Sequence, residues 1–179
     1  MERRIAKVNI SAAGGTAGAG SKTCKVTIPG SWLAQLGIDE AHRRLELSFD
    51  GTQISVVPYL DFDAFADAKQ AQGHELYTMR FFDSDHLCST ILVDYTDHTL
   101  RVRDEDVALI KTAFGKNELP SWEDFERFLE ERCIPRARSG LRGYLDAIGV
   151  MEYDPIEIIR KTQGRMAEDQ QWLEVEAMK

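Results

Sequence analysis

The chain has 179 residues, of which 43% are hydrophobic and 29% charged, and a formal net charge of −8. That length allows one ordinary domain or two small ones, and no stretch approaches the ~20 apolar residues of a membrane span. Three scattered cysteines, Cys24, Cys88 and Cys133, contain no C-x-x-C pair and so give neither a disulfide framework nor a zinc cluster.

The acidic balance argues against non-specific coating of nucleic acid, but it is uneven. Residues 1–58 hold seven Lys/Arg against five Asp/Glu, a net +2, whereas residues 59–179 hold fifteen against twenty-five, a net −10. A mildly basic segment can approach phosphates that an acidic one avoids. The opening MERRIAKVNI lacks the apolar core and cleavage site of a signal peptide, so a cytoplasmic protein is expected.

In chain order, Arg4 to Ile10 alternates like a short strand and stops at the Gly/Ala/Ser/Thr-rich stretch Ser11–Ser21. Thr23 to Ile28 is β-branched and ends at Pro29. Ser31 is placed to cap a short helix, Trp32–Leu36, ended by Gly37, with Leu33 and Leu36 facing inward. Leu45–Phe49 and Thr52–Val57 alternate around Asp50-Gly51, the signature of a hairpin. Residues 59–73 read as a linker with some helix. Glu75–Phe82, Leu87–Tyr95 and Thr99–Val102 predict a three-stranded antiparallel meander. From residue 104 the pattern is helical: a first helix through Val107, Ile110 and Phe114, stopped by Gly115, and a second opened by Ser121 and Asp124. A third runs over 136–148, a fourth from Asp154-Pro155 to about Thr162, and a last turn over 165–172. The fold class is α+β, with domains at 1–58 and 74–179, strands at about 75–102 and helices at about 104–172.

GGTAGAGSKT, residues 14–23, has the look of a phosphate-binding loop. Gly15 and Gly20 have the required separation, but Ser21 is inserted before Lys22 and a strand, not a helix, leaves the loop. A nucleotide-dependent enzyme is set aside on that ground; no catalytic residue, cofactor or metal is expected.

KVTIPGSWLAQLGIDEAHRRLELSFDGTQISVVP, Lys25 to Pro58, resembles the AbrB/MazE/SpoVT family of swapped-hairpin DNA-binding domains: a basic residue before a V-T-I-P strand, a helix ending in L-G-I, a polar turn and a closing hairpin. The resemblance covers about a third of the chain. It implies that two chains interleave hairpins into one β-barrel whose early strand and loop face double-stranded DNA, with Lys25 at the family's basic position. This chain departs from the family in its long Ser11–Ser21 loop and in Leu33, Ala34 and Gln35, where many members carry arginines. DNA-contact candidates are Arg3, Arg4, Lys7, Lys22, Thr23 and Lys25. The segment from Leu119 to Val175 also resembles a region of longer bacterial and phage AbrB-type proteins, some of them antitoxin-like, which implies a toxin or other protein partner.

Arg136, Arg138, Arg142, Arg165 and Trp172 are the partner-binding candidates, with intramolecular pairing to acidic neighbours as the competing role for the arginines. Cys133 beside arginines raises the thought of an activated thiol, without an identifiable His or Asn partner. His42, His74, His86 and His98 fall in turns, and Asp85-His86 with Asp97-His98 gives at most a faint metal pattern. The expected function is a homodimeric, DNA-binding transcription regulator, in its specific form an autoregulating antitoxin. The alternative is an acidic protein-interaction module, of the kind phage inhibitors use, that dimerises through the barrel and does not bind DNA.

Overall fold

The computed structural model describes residues 2–14, 18 and 20–178. The chain is α+β and divides into two units, Met1–Tyr59 and Leu60–Lys179.

In the first unit, β1 (Asn9–Ala12) pairs antiparallel with β2 (Lys22–Lys25), Asn9 opposite Lys25 and Ala12 opposite Lys22. The glycine-rich stretch joins them; Gly15, which carries half of the phosphate-loop spacing, lies outside the described residues. Helix α1 (Gly30–Gln35) follows, starting before the expected cap. Pro29 is its N-cap, with its ring fixing φ at −58°, so Ser31 sits inside the first turn and caps nothing. The chain leaves α1 through Gly37 at φ +71°, where Ile38 N–H donates to the Leu33 carbonyl. Leu33 is half-buried, but Leu36 is exposed rather than inward.

Strands β3 (Leu45–Phe49) and β4 (Ile54–Pro58) form the predicted hairpin. Asp50 Oδ1 accepts from the backbone N–H groups of Thr52 and Gln53, and Gly51 supplies the φ of +96° that the turn needs. The two ribbons are separate sheets, and no closed barrel forms among the described residues of one chain.

The second unit is built on a four-stranded antiparallel sheet in the order β7-β6-β5-β8. Its strands are β5 (Leu76–Asp83), β6 (His86–Asp94), β7 (Thr99–Asp104) and β8 (Gln171–Ala177). Cross-strand partners share a face, so Met79, Ile91, Val102 and Val175 project to one side. Helices α3 (Trp122–Glu131), α4 (Leu141–Ile148) and α5 (Pro155–Thr162) close that side through Phe125, Phe128, Leu129, Leu145, Ile158 and Ile159, which form one core with it. Helix α3 opens with the predicted capping box, Ser121 and Asp124 each accepting from the other's backbone N–H. At the start of α5 the Asp154 side chain accepts from Ile156 N–H and Pro155 occupies N1.

Residues 59–73 are not a linker: α2 (Phe62–Ala71) belongs to the second unit and buries Phe65 against Leu76 and Leu92 on the opposite face of the sheet. The helix through Val107, Ile110 and Phe114 shrinks to a single 3-10 turn, Leu109–Lys111, with Ile110 exposed. There the Thr112 hydroxyl donates to the Leu109 carbonyl and the Ala113 N–H is taken by the Ser89 hydroxyl, so bonds that would extend a helix go elsewhere. The helix expected from Arg136 begins only at Leu141, because Gly140 in the left-handed region (φ +79°) separates it from the preceding loop. The tail is a strand, not a helical turn.

Candidate functional site

Three of the DNA-contact candidates, Lys22, Thr23 and Lys25, are in β2. Strand alternation places Asn9, Ser11, Thr23 and Lys25 on one face and Ile10, Ala12, Lys22 and Cys24 on the other. Thr23 and Lys25 are therefore brought together, on a polar face, while Lys22 points to the opposite side. Arg3, Arg4 and Lys7 lie on the exposed segment before β1. Among the described residues none of the five cations forms an ion pair. The second unit behaves differently. Arg80, Arg103, Arg127, Arg136, Arg142 and Arg160 each hold a carboxylate, including Arg136 with Glu130 at 3.5 Å and Arg142 with Asp146 at 3.3 Å.

One face of the β3–β4 hairpin is apolar and largely uncovered. In the β3–β4 hairpin the pairs Leu45–Pro58, Leu47–Val56 and Phe49–Ile54 all project to one side, with Glu46–Val57 and Ser48–Ser55 on the other. Leu47, Phe49 and Ile54 are 68%, 69% and 68% exposed. No described residue of Met1–Tyr59 is buried. Covering one such side chain is worth about 1.5–3 kcal/mol, so the fold of this segment lacks its main stabilising term until something covers that face.

The partner-binding candidates do not form one site. Arg136 lies over the Tyr153 ring at 4.4 Å and lines a cavity of about 400 Å³ with Tyr95, Trp122, Phe125 and Asp154. Arg142 donates to the Met151 carbonyl. Arg138 and Arg165 share a different cavity, and Arg165 also lies 4.7 Å over Trp172, which stacks on Phe82 at 4.2 Å. Cys133 is buried with Sγ 3.7 Å from the Pro155 carbonyl. Burial, reinforced by Asp154 and Glu130, pushes its thiol up to about 12, the reverse of what an activated nucleophile needs.

The two Asp-His pairs separate: His86 holds Asp85 in the exposed β5–β6 turn, and His98 stacks on Trp122 at 4.5 Å. A cluster that sequence reading missed assembles instead. His74 Nδ1 lies 2.9 Å from Asp94 Oδ2 and 3.8 Å from Asp97, and the three side chains could offer a metal one ligand atom each within 4.8 Å. Lys69 already sits on both carboxylates, 2.9 Å from Asp94, and supplies the positive charge. The arrangement ties the end of α2 to the β6–β7 turn. The one legible sign was the density of Asp and His around residues 94–98.

Burial of the Asp94 carboxylate raises its pKa, but bonds from His74, Lys69 and the Asp97 and Thr96 backbone N–H groups outweigh that and hold it below the usual 3.8. A folded-state pKa below the unfolded one gives stability that is complete above about 3.8 and is lost as pH falls through the lower folded value. Asp94→Asn takes the buried carboxylate away from Lys69 and His74, leaving Lys69 with Asp97 alone, and is expected to cost about 2 kcal/mol at pH 7. Urea unfolding of wild type and variant at pH 7 and pH 3 checks this: the gap between them should narrow in acid.

No protein-family model, no curated protein and no solved structure matches the chain significantly.

Proposed function

We propose that two copies of residues 1–59 combine into one swapped-hairpin barrel that binds duplex DNA, and that the protein is a transcription regulator acting on its own promoter. The observation that carries this reading is the two-sidedness of the first unit. Among its described residues it has an uncovered apolar hairpin face and no buried residue, together with a polar ribbon face holding Thr23 and Lys25, and its candidate cations carry no ion pair there. A second copy supplies the missing core, in keeping with the general dependence of very small domains on oligomerisation, and two-fold symmetry presents the polar face twice to an inverted repeat. The resemblance of Lys25–Pro58 to AbrB/MazE/SpoVT domains supports the same arrangement. In its specific form the protein is the antitoxin of a toxin pair, with the acidic second unit as the partner-binding part.

Titration of a labelled fragment of the protein's own promoter, followed by fluorescence anisotropy over a salt series, tests the proposal. Log affinity is expected to fall linearly with log salt, by roughly 0.9 for each phosphate contacted. Lys25→Ala, present twice in a dimer, should flatten that slope by about 2 and weaken binding at least fivefold. Absence of any binding at low salt would remove the DNA reading. Capture of a basic protein by the same DNA-inactive preparation would favour the acidic interaction module, which the net −10 of residues 59–179 supports.

A further inference from the structure

A second cavity, of about 430 Å³, lies in the second unit between the loop that follows α3 and the turn that follows α5. Its wall holds three arginines, and their states differ. Arg132 is buried and neutralised, its guanidinium bound to Asp169 through both terminal nitrogens at 2.8–3.0 Å and to the Gln171 side chain at 2.8 Å. Arg138 holds no carboxylate among the described residues. Arg165 holds none either, donating instead to the Gln163 side chain at 3.0 Å. In a unit where the neighbouring Arg136 and Arg142 are ion-paired, the two unpaired guanidinium groups both line this cavity.

The rest of the lining fits the same chemistry. Ser139 and Tyr144 bring hydroxyls for which no protein partner is described. The Ser139–Gly140 edge of the cavity leads into α4, whose first turn has neither a side-chain cap nor an acidic residue. Ile134, Pro135, Met166 and the Tyr144 ring provide an apolar wall. Glu168 is the only unpaired carboxylate on it among the described residues, so Arg138 and Arg165, neither of them ion-paired there, leave a net positive charge.

We infer that this cavity binds a small organic phosphate, its oxyanion held between Arg138 and Arg165 and its organic part laid against Ile134, Tyr144 and Met166. Arginine forks suit phosphate oxygens because they donate two parallel bonds, and the volume is in the range of small-ligand sites. A duplex is disfavoured as the source of that phosphate, because the net −10 of residues 59–179 repels a polyanion. The inference is independent of what the first unit binds.

Calorimetric titration of the full chain with inorganic phosphate and with phenyl phosphate tests it. Both should saturate with one site per chain, phenyl phosphate the more tightly. Arg138→Gln and Arg165→Gln should each weaken phenyl phosphate about tenfold, while Arg142→Gln, whose arginine is paired with Asp146, should not change it. Circular dichroism melts of all three variants establish that they are folded, and a pair of milder variants, Arg138→Lys and Arg165→Lys, replaces any that is not. Failure of both probes to saturate overturns the inference. So does unchanged binding in both cavity variants, or an equal loss in Arg142→Gln, which would mark diffuse attraction to surface charge.

Discussion

Replacing Phe49 by aspartate is expected to convert the protein from dimer to monomer and to abolish DNA binding while leaving the second unit folded. Phe49 stands opposite Ile54 on the uncovered face of the β3–β4 hairpin and is 69% exposed in one chain. In the proposed dimer it is covered, and a carboxylate there is desolvated without a partner. The loss of roughly 2–3 kcal/mol of apolar burial in each copy, added to the cost of burying the charge, exceeds what a marginal interface tolerates. The separate core of Phe125, Ile158 and Leu173 in the second unit is untouched. Light scattering should report the halved mass, and near-ultraviolet circular dichroism should retain the signal of Trp122 and Trp172. A Phe49→Asp protein that stays dimeric and binds DNA would place the partner surface elsewhere.

The second large effect is expected for Arg132→Ala. Arg132 follows α3, and its guanidinium holds Asp169, Gln171 and the Gly164 carbonyl, so it fixes the chain just where β8 enters the sheet. Gly164, at φ +58°, passes close enough that a Cβ there would lie 3.2 Å from the Arg132 Cβ and 3.4 Å from Leu173. Breaking a buried ion pair costs about 3–5 kcal/mol; Asp169 is partly exposed and can regain water, so about 3 kcal/mol is expected. Hydrogen exchange should locate the damage, with the Leu173 and Val175 amides losing protection ahead of the β6 amides. Unfolding free energy within about 0.5 kcal/mol of wild type would mean that the edge strand is held by its apolar residues alone.

Strand β8 also marks the limit of what the sequence makes legible. Its alternation, with Leu173 and Val175 inward and Trp172 and Glu174 outward, is visible once the strand is known. Five of its seven residues, Gln171, Leu173, Glu174, Glu176 and Ala177, favour helix in isolation, and the pairing that overrides them joins Arg80 to Glu174, 94 positions apart. The β3–β4 hairpin, the meander and the α3 capping box were readable because each depends on neighbours: Asp50-Gly51, strict alternation, Ser121 with Asp124. Helical spacing of Val107, Ile110 and Phe114 misled because side-chain hydroxyls of Ser89 and Thr112 hold that backbone instead.

The candidate sites divide in the same way. A separation of three residues along a strand already sets Lys22 and Lys25 on opposite faces, so their division was available from the sequence. That, among the described residues, Arg138 and Arg165 have no ion pair while Arg136 and Arg142 do depends on which carboxylates the fold brings near. The Lys69, His74, Asp94 and Asp97 cluster likewise requires α2 to return to the β6–β7 turn, which reading residues 59–73 as a linker conceals.

Sedimentation equilibrium of the intact chain over a range of concentrations shows whether residues 1–59 gain a core only from a second copy. A species of twice 20.3 kDa is expected down to low micromolar concentration, with the first unit's strand signal lost wherever dissociation occurs. A monomer of 20.3 kDa at every concentration, with that signal intact, would contradict it.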